Sequence, residues 1–306
     1  MKYNYYKNNE FSVITDTHFG RTFKEGVPLN KRGDYENKIL WDFHNFLNDE
    51  DNRCVIHAGD LFESPYVSNE VLMNVYTAIR ICNKPLTHYY FIAGNHDLPK
   101  NDEIANSSFY ILSKLLEGFS NIHFVFEPDI VEDGKILLIP YSHIYDANEL
   151  ISENIKNKVN CVIGHFDDPV PSSLALFNGL KLSGHFHKKH VTIDGTNFIG
   201  SFYPIAFGEE SNTDIMETMT LEEYNKRSEV ELEDKRVRIL LKEGEELPVD
   251  HPCLQLIGKK EKKEEINLEV KLEDDFDFRI LFYDCLKNCK KTDELWYRYL
   301  SLKGIE

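Results

Sequence analysis

The chain of 306 residues is predicted to fold as an α/β protein that ends in a small, mostly β appendage and a helical segment. Short apolar, β-branched runs alternate with segments of helical spacing through the first two thirds of the sequence, which is typical of an α/β core. After Glu210 this alternation gives way to charged stretches. We therefore divide the chain into a large domain of residues 1–210, an appendage of residues 211–277 and a helical segment of residues 278–306.

The large domain is predicted to alternate strands with helices. The apolar runs expected to be strands are 11–15, 53–57, 88–93, 121–126, 135–139, 160–164, 180–184 and 196–200. The segments with helical spacing are Asp34–Leu47, Ser68–Cys82, Ile104–Leu116 and Ala147–Lys156. Asp34 and Ser68 are residue types that favour N-caps. In sheets of this class, ligands gather at the carboxyl ends of the strands, so we expect the functional site there.

The C-terminal third is less regular. Residues 211–228 are polar and predict a connection. Two charged, alternating stretches, EVELEDKRVRILL and EINLEVKLED, predict a small β appendage that begins near residue 225. The segment Phe278–Leu302 has apolar residues at helical spacing. It would either pack against its own domain or bind a partner, and the sequence leaves both open.

Composition excludes several classes of protein. The polar N-terminus does not resemble a signal peptide, and no apolar run approaches the roughly 18 residues of a membrane helix. Six cysteines without a CxxC pair favour buried, reduced thiols and a cytoplasmic location. The formal net charge of −17 provides no basic footprint for nucleic acid, so the chain alone should bind a phosphate backbone weakly.

Potential metal ligands follow five of the predicted strands. They occur in the stretches FSVITDTH, CVIHAGD, YYFIAGNHD, CVIGH and LKLSGHFH, and comprise Asp16, His18, Asp60, Asn95, His165, His185 and His187. Imidazole, carboxylate and amide oxygen together suit divalent transition ions. We expect the pairs in DTH and HFH to project to one side of a strand, because side chains two residues apart share a face.

The motif GNHD adds candidate catalytic groups to these ligands. His96, beside Asn95, is predicted to donate a proton to a leaving alkoxide, and Asp97 is expected to orient that imidazole and raise its pKa. Asp60 has two carboxylate oxygens and could bridge two ions about 3.5–4 Å apart. His57, two residues before Gly59 on the same strand, could support a ligand but is expected to be structural.

The order D-x-H, GD, GNHD, GH and GHxH resembles the calcineurin-like metallophosphoesterase superfamily over about residues 11–210. This resemblance implies two packed mixed β-sheets flanked by helices, and two divalent metal ions. One ion would take Asp16, His18, Asp60 and His187. The other would take Asp60, Asn95, His165 and His185. His96 would be the proton donor.

The residues around these motifs resemble a narrower group. GDLFESP and GTNFIGSFYPIAFGEE look like the SbcD-type nuclease subunits of DNA repair and recombination, including phage-encoded members. The resemblance implies Mn-dependent cleavage of DNA, a homodimer, and binding of an SbcC-type coiled-coil ATPase through the C-terminal helical segment. One departure is Glu63, where some members have a histidine. Another metallophosphoesterase, such as a phosphoprotein phosphatase or nucleotide phosphodiesterase, and a non-catalytic scaffold remain alternatives.

Overall fold

Two mixed β-sheets, flanked by helices, form the larger part of the protein, and a third, smaller sheet follows them. The computed structural model describes residues 3–48, 53–100, 104–141, 147–155, 159–167, 169–209 and 214–260. This architecture confirms the predicted α/β class and the two mixed sheets flanked by helices. The predicted helical segment of residues 278–306 lies outside the described residues.

The first sheet has five strands in the order β1-β2-β3-β4-β5. They are β1 (Tyr6–Lys7), β2 (Ser12–Ile14), β3 (Cys54–Ala58), β4 (His88–Ile92) and β5 (Ile122–Val125). Only β1 runs antiparallel to its neighbour. The helices α1 (Asp34–Leu47), α2 (Asn69–Cys82) and α3 (Ser108–Leu115) connect the parallel strands. Their apolar faces cover the outer side of this sheet.

The second sheet has six strands in the order β10-β11-β9-β8-β7-β6. They are β6 (Asp129–Val131), β7 (Ile136–Ile139), β8 (Cys161–Gly164), β9 (Leu180–Ser183), β10 (His190–Val191) and β11 (Asn197–Phe198). The edge strands β6 and β10 are antiparallel, whereas the four inner strands are parallel. Helix α4 (Ala147–Ile155) packs through Ile151 on the outer side.

A second buried core lies between the two sheets. Val13, Ile56 and Ile92 of the first sheet pack in one cluster with Leu138 and Ile163 of the second, and all five side chains are fully buried. Burying such a side chain stabilises the fold by about 1.5–3 kcal/mol. This core holds the parallel strands of both sheets in fixed relation, and the contacts described below show that their carboxyl ends meet.

The third sheet consists of the parallel strands β12 (Met216–Thr220), β13 (Arg236–Leu241) and β14 (Gln255–Lys260). The short helices α5 (Leu221–Asn225) and α6 (Glu229–Leu232) precede β13. The prediction of a simple connection over 211–228 was therefore wrong, because its described part contains a strand and a helix. The first four residues of EVELEDKRVRILL are helical since Ser228 and Glu231 form a capping box. The stretch EINLEVKLED lies outside the described residues, and the division at residue 210 stays a prediction.

Local signals at the helix starts were partly confirmed. The Ser68 side chain accepts a hydrogen bond from the Val71 amide, as an N-cap does. Asp34 was wrongly predicted as a cap, because Gly33 takes that position with φ 91° and Asp34 begins the helix. The four cysteines among the described residues are free and buried. None of the helices in the described ranges has the length and apolar character that crossing a membrane requires.

Candidate metal centre

The predicted ligands lie in turns that follow the strands, and four of these residues have left-handed backbone. Asp16, His18, Asp60 and His185 have φ of 52°, 48°, 54° and 80°. Non-glycine residues rarely adopt such angles, which cost about 1–3 kcal/mol each and cluster at functional sites. Elsewhere in the described ranges, non-glycine residues show this backbone only in the hairpin between β6 and β7. The prediction that each ligand pair shares one face of a strand was therefore wrong, because the directions of these side chains are set by turns and not by strand alternation.

Two glycines allow the turns to approach one another closely. A Cβ atom on Gly59 would lie 2.2 Å from His165 Nδ1, and one on Gly94 would lie 2.2 Å from Asp60 Oδ1. Gly59 also has φ 101°, which only glycine adopts without strain. The glycines in CVIHAGD and YYFIAGNHD thus bring polar groups of different strands into contact.

Three of the predicted ligands form a first group. His18 Nε2 and His187 Nε2 are 3.1 Å apart, and each lies 3.8 Å from Asp16 Oδ1. Asp16 and His18 are almost fully buried, while His187 is partly exposed. Two imidazoles and one carboxylate converge here from the ends of β2 and β9, and their ligand atoms lie within 4.8 Å of one another.

The other predicted ligands form a second group beside the first. Asn95 Oδ1 lies 2.9 Å from His165 Nε2 and 3.0 Å from His185 Nδ1. Asp60 Oδ2 lies 3.3 Å from His165 Nε2 and 3.7 Å from His18 Nε2. Asp60 therefore stands between the two groups, and the structure brings all seven predicted ligands together.

The first two histidines are held by carboxylates on their far sides. His18 Nδ1 lies 3.0 Å from Glu63 Oε2, and His187 Nδ1 lies 3.1 Å from Glu209 Oε1. The contact to Glu63 is an ion pair by distance, and the contact to Glu209 is a hydrogen bond. With Nδ1 facing a carboxylate, Nε2, which faces the cluster in both residues, can keep its lone pair. Glu63 had been noted only as a departure from a histidine in GDLFESP, and Glu209 only as part of FGE, both without a role.

The other two histidines follow the same rule. His165 Nδ1 lies 2.9 Å from the carbonyl oxygen of Ala58, and His185 Nε2 lies 3.0 Å from Asp167 Oδ1. In each ring the nitrogen that faces Asn95 is left as the acceptor. Metal-binding histidines nearly always have such an oxygen partner on the opposite nitrogen, so the donor set fits divalent cations.

Electrostatics also favour a cation at this position. Burial lowers the pKa of His18, but the bonds to Asp16 and Glu63 and the charge of Asp60 outweigh it and raise the pKa to about 10. Burial also lowers the pKa of His165, but the charge of Asp60 and the hydrogen bond to it outweigh burial and raise this pKa to about 9. The buried carboxylates thus create a negative potential, and a metal ion would take the place of these protons.

The histidine of GNHD lies beside both ligand groups. His96 Nδ1 is 2.7 Å from the carbonyl oxygen of Glu63, and its backbone N–H donates to Asp60 Oδ1 at 2.8 Å. Its half-buried ring packs edge-on against His18, with centroids 4.8 Å apart. With Nδ1 fixed on a carbonyl oxygen, Nε2 is the nitrogen available for proton transfer.

The next residue, Asp97, does not orient His96 as predicted. Its fully buried carboxylate accepts hydrogen bonds from the backbone N–H groups of Leu61, Phe62 and Gly94, at 2.9–3.1 Å. Burial and the nearby charge of Asp60 raise the pKa of Asp97 to about 7. Adjacent residues in this tight turn point in different directions, so Asp97 ties the GD turn to the GNHD turn.

A comparison with known families agrees with this geometry. The calcineurin-like phosphoesterase family has a sequence model that matches residues 11–258. The chain belongs to that family. It is therefore a phosphoesterase of a family that uses divalent metals, and the match extends past residue 210, where the resemblance had been expected to end.

Individual relatives of this calcineurin-like phosphoesterase are distant. The DNA double-strand break repair protein Mre11 of Methanococcus maripaludis is 26% identical over 196 residues, which are 56% of this chain and 49% of the relative. The chain thus spans about half the length of this curated relative. A solved dimetal phosphatase from Danio rerio is 12% identical, with a TM-score of 0.39, covering 62% of this chain and 86% of the other.

Proposed function

We propose that this phosphoesterase is a Mn-dependent DNA nuclease subunit that hydrolyses phosphodiester bonds with two metal ions. The observation that supports it is the pair of ligand groups with Asp60 between them. The substrate class is supported by the similarity to a DNA double-strand break repair protein. Nitrogen and oxygen donors without thiolate are compatible with Mn²⁺.

Each ligand group would hold one ion. The first ion would be held by Asp16, His18, His187 and Asp60, and the second by Asn95, His165, His185 and Asp60. When bound, the two ions neutralise charge on the phosphate and lower the pKa of the water that attacks phosphorus. The protein's own contribution is to fix the donor atoms, through the oxygen partners on the far nitrogens and the left-handed turns.

His96 would protonate the leaving oxygen. Its Nδ1–H is anchored on the Glu63 carbonyl oxygen, so a proton carried at Nε2 faces the side of the cluster near His18. A positioned acid of this kind contributes typically 100- to 10,000-fold to the rate.

Partners would complete the nuclease. The net charge of −17 supports an SbcC-type ATPase that contributes the basic surface for DNA, and such a complex would work in the cytoplasm. A homodimer is supported by apolar side chains that α2 and α3 leave exposed: Met73 and Ile81 are 47% and 62% exposed, and Ile111 and Leu115 are 40% and 44% exposed. Ile111→Glu should then convert a dimer into a monomer in sedimentation, whereas an unchanged mass would argue against this surface.

The substrate is tested by an activity screen with Mn²⁺. We expect cleavage of linear duplex DNA by the chain with a purified SbcC-type ATPase, weaker cleavage by the chain alone, and none by the Asp60→Asn variant. Small nucleotide esters and phosphoproteins serve as competing substrates. Hydrolysis of those compounds without any cleavage of DNA would instead indicate a phosphatase or a nucleotide phosphodiesterase.

A further inference from the structure

A buried cation of the third sheet donates hydrogen bonds to the loop of residues 204–209, which follows the last metal-site motif in the sequence. Arg236, on β13, is 2% exposed. Its Nε donates to Gln255 Oε1 at 2.8 Å, Nη1 to the Pro204 carbonyl oxygen at 2.6 Å, and Nη2 to the Ile205 carbonyl oxygen at 3.1 Å. These acceptors are neutral, and the nearby carboxylate of Glu209 favours the charge of the guanidinium. Because a buried charge is costly unless it is well hydrogen-bonded, the guanidinium depends on the geometry of these acceptors.

Aromatic rings also help to hold the guanidinium of Arg236 in place. The guanidinium carbon of Arg236 lies 4.4 Å from the ring centre of Phe23 and 4.6 Å from that of Tyr35, distances at which cation–π attraction operates. The Tyr35 hydroxyl also donates to the Pro204 carbonyl oxygen at 2.8 Å. The start of this loop is consequently bound from two elements at once, α1 and β13.

The same loop fixes a metal ligand. Ile205, whose carbonyl oxygen accepts from Arg236, donates its backbone N–H to Glu209 Oε2 at 2.7 Å. Glu209 is 9% exposed, and its Oε1 lies 3.1 Å from His187 Nδ1. A continuous path of hydrogen bonds thus runs from β13 through the loop to an imidazole of the first ligand group.

We propose that Arg236 is a positioning residue for the first metal: it fixes Ile205, which fixes Glu209, which fixes the ring of His187. The proposal rests on the metal site of the proposed function, and not on its DNA substrate. Without the guanidinium fork, the Ile205 carbonyl oxygen loses this donor, the Pro204 carbonyl oxygen keeps only the Tyr35 hydroxyl, and the loop shifts. Losing such an outer partner commonly weakens a metal site by 10- to 100-fold, so we expect a loss of that size in the first group alone.

The variants separate positioning from folding. Arg236→Lys keeps the charge but replaces a planar fork by a point donor, which cannot reproduce the bonds to Pro204 and Ile205 together. Arg227→Lys is the control, because it makes the same replacement at an arginine whose guanidinium pairs with Glu217 and Glu231. Glu209→Gln interrupts the path at its other end.

The experiment is a calorimetric titration of the full-length chain with Mn²⁺, repeated in each variant. His187→Ala identifies the first site by losing it. We expect Arg236→Lys to weaken Mn²⁺ binding at the first site at least tenfold and to change binding at the second site less than twofold. In a chain that already carries Glu209→Gln, Arg236→Lys should cause no further loss of binding. Arg227→Lys should resemble the wild type, and circular dichroism should show that every variant folds.

Three results would overturn the proposal: equal weakening of both sites, no weakening of either, or effects of Arg236→Lys and Glu209→Gln that multiply. If Arg236→Lys does not fold, the Glu209→Gln titration still decides, because an unchanged first site there contradicts the path. A wild-type chain that binds two ions but never cleaves DNA refutes only the substrate. A wild-type chain that binds fewer than two ions refutes the metal site itself.

Discussion

Replacing His96 by glutamine should separate the chemistry of the leaving group from metal binding. His96 contributes a ring nitrogen anchored 2.7 Å from the Glu63 carbonyl oxygen, and its backbone N–H, which the variant retains, donates to Asp60 at 2.8 Å. Glutamine can restore the bond to Glu63, but it cannot deliver a proton. We therefore expect His96→Gln to keep both metal sites and to lose the acid.

The magnitude follows from general acid catalysis. Loss of a positioned acid should lower kcat on DNA by about 100-fold or more, which corresponds to about 2.7 kcal/mol in the barrier. A nitrophenyl phosphodiester leaves as a stable anion and needs no proton. On that substrate the same variant should retain nearly the full activity of the wild type.

The assay compares single-turnover rates of wild type and His96→Gln on linear DNA and on the nitrophenyl ester, at saturating Mn²⁺. Equal losses on both substrates would refute the assignment, because the damage would then lie in the attack on phosphorus or in the metals. Manganese content, measured on the same samples, should be identical in the two proteins.

Three further outcomes are expected. Asp60→Asn should leave fewer than two Mn²⁺ per chain by elemental analysis, because both ions lose their shared carboxylate. Asp42→Asn, at another buried aspartate, serves as the control. Two Mn²⁺ per chain in Asp60→Asn would argue against a bridging carboxylate. Gly59→Ala should lower the thermal midpoint by several degrees, since its Cβ would lie 2.2 Å from His165 Nδ1, and an unchanged midpoint would contradict this packing. Desolvation lowers the pKa of buried His57 to about 3. With the metal removed by a chelator, His57 therefore takes up a proton below about pH 6.5 in the unfolded chain but not in the folded chain. As the pH falls, this lowers the free energy of unfolding by up to about 1.4 kcal/mol per pH unit. His57→Phe should remove this contribution from the pH dependence measured in urea titrations, and an unchanged pH dependence would disprove its origin.

The sequence predicted which side chains converge, because each one follows an apolar run at a strand end. In a parallel sheet the carboxyl ends of strands meet, so residues as distant as Asp16 and His187 can be expected to lie together. The direction in which each side chain points was not predictable in this way. Left-handed turns at Asp16, His18 and Asp60 replace the strand alternation on which the expected pairing was based.

The groups that orient the ligands were largely missed. Glu209 and Asp167 hold the outer nitrogens of His187 and His185, but such contacts depend on how loops return to the site. Adjacency misled the prediction for Asp97, since a neighbour in a tight turn need not share a direction. Glu209 had been noted as part of FGE, but nothing in the local sequence indicated that its carboxylate reaches the site.

The third sheet was predicted only in outline. The strand Met216–Thr220 has the sequence METMT, whose methionines and glutamate carry little intrinsic preference for β structure. Its burial of Met216 and Met219 arises from packing against β13 and neighbouring elements, which no local pattern reveals. Tertiary contacts therefore decide this strand, as they decide the oxygen partners of the histidines.

The most direct test of the two-metal account is anomalous diffraction from crystals grown with Mn²⁺. We expect two peaks about 3.5–4 Å apart, on either side of the Asp60 carboxylate, with His187 beside one and His165 beside the other. A single peak, or peaks that do not share Asp60, would contradict the account.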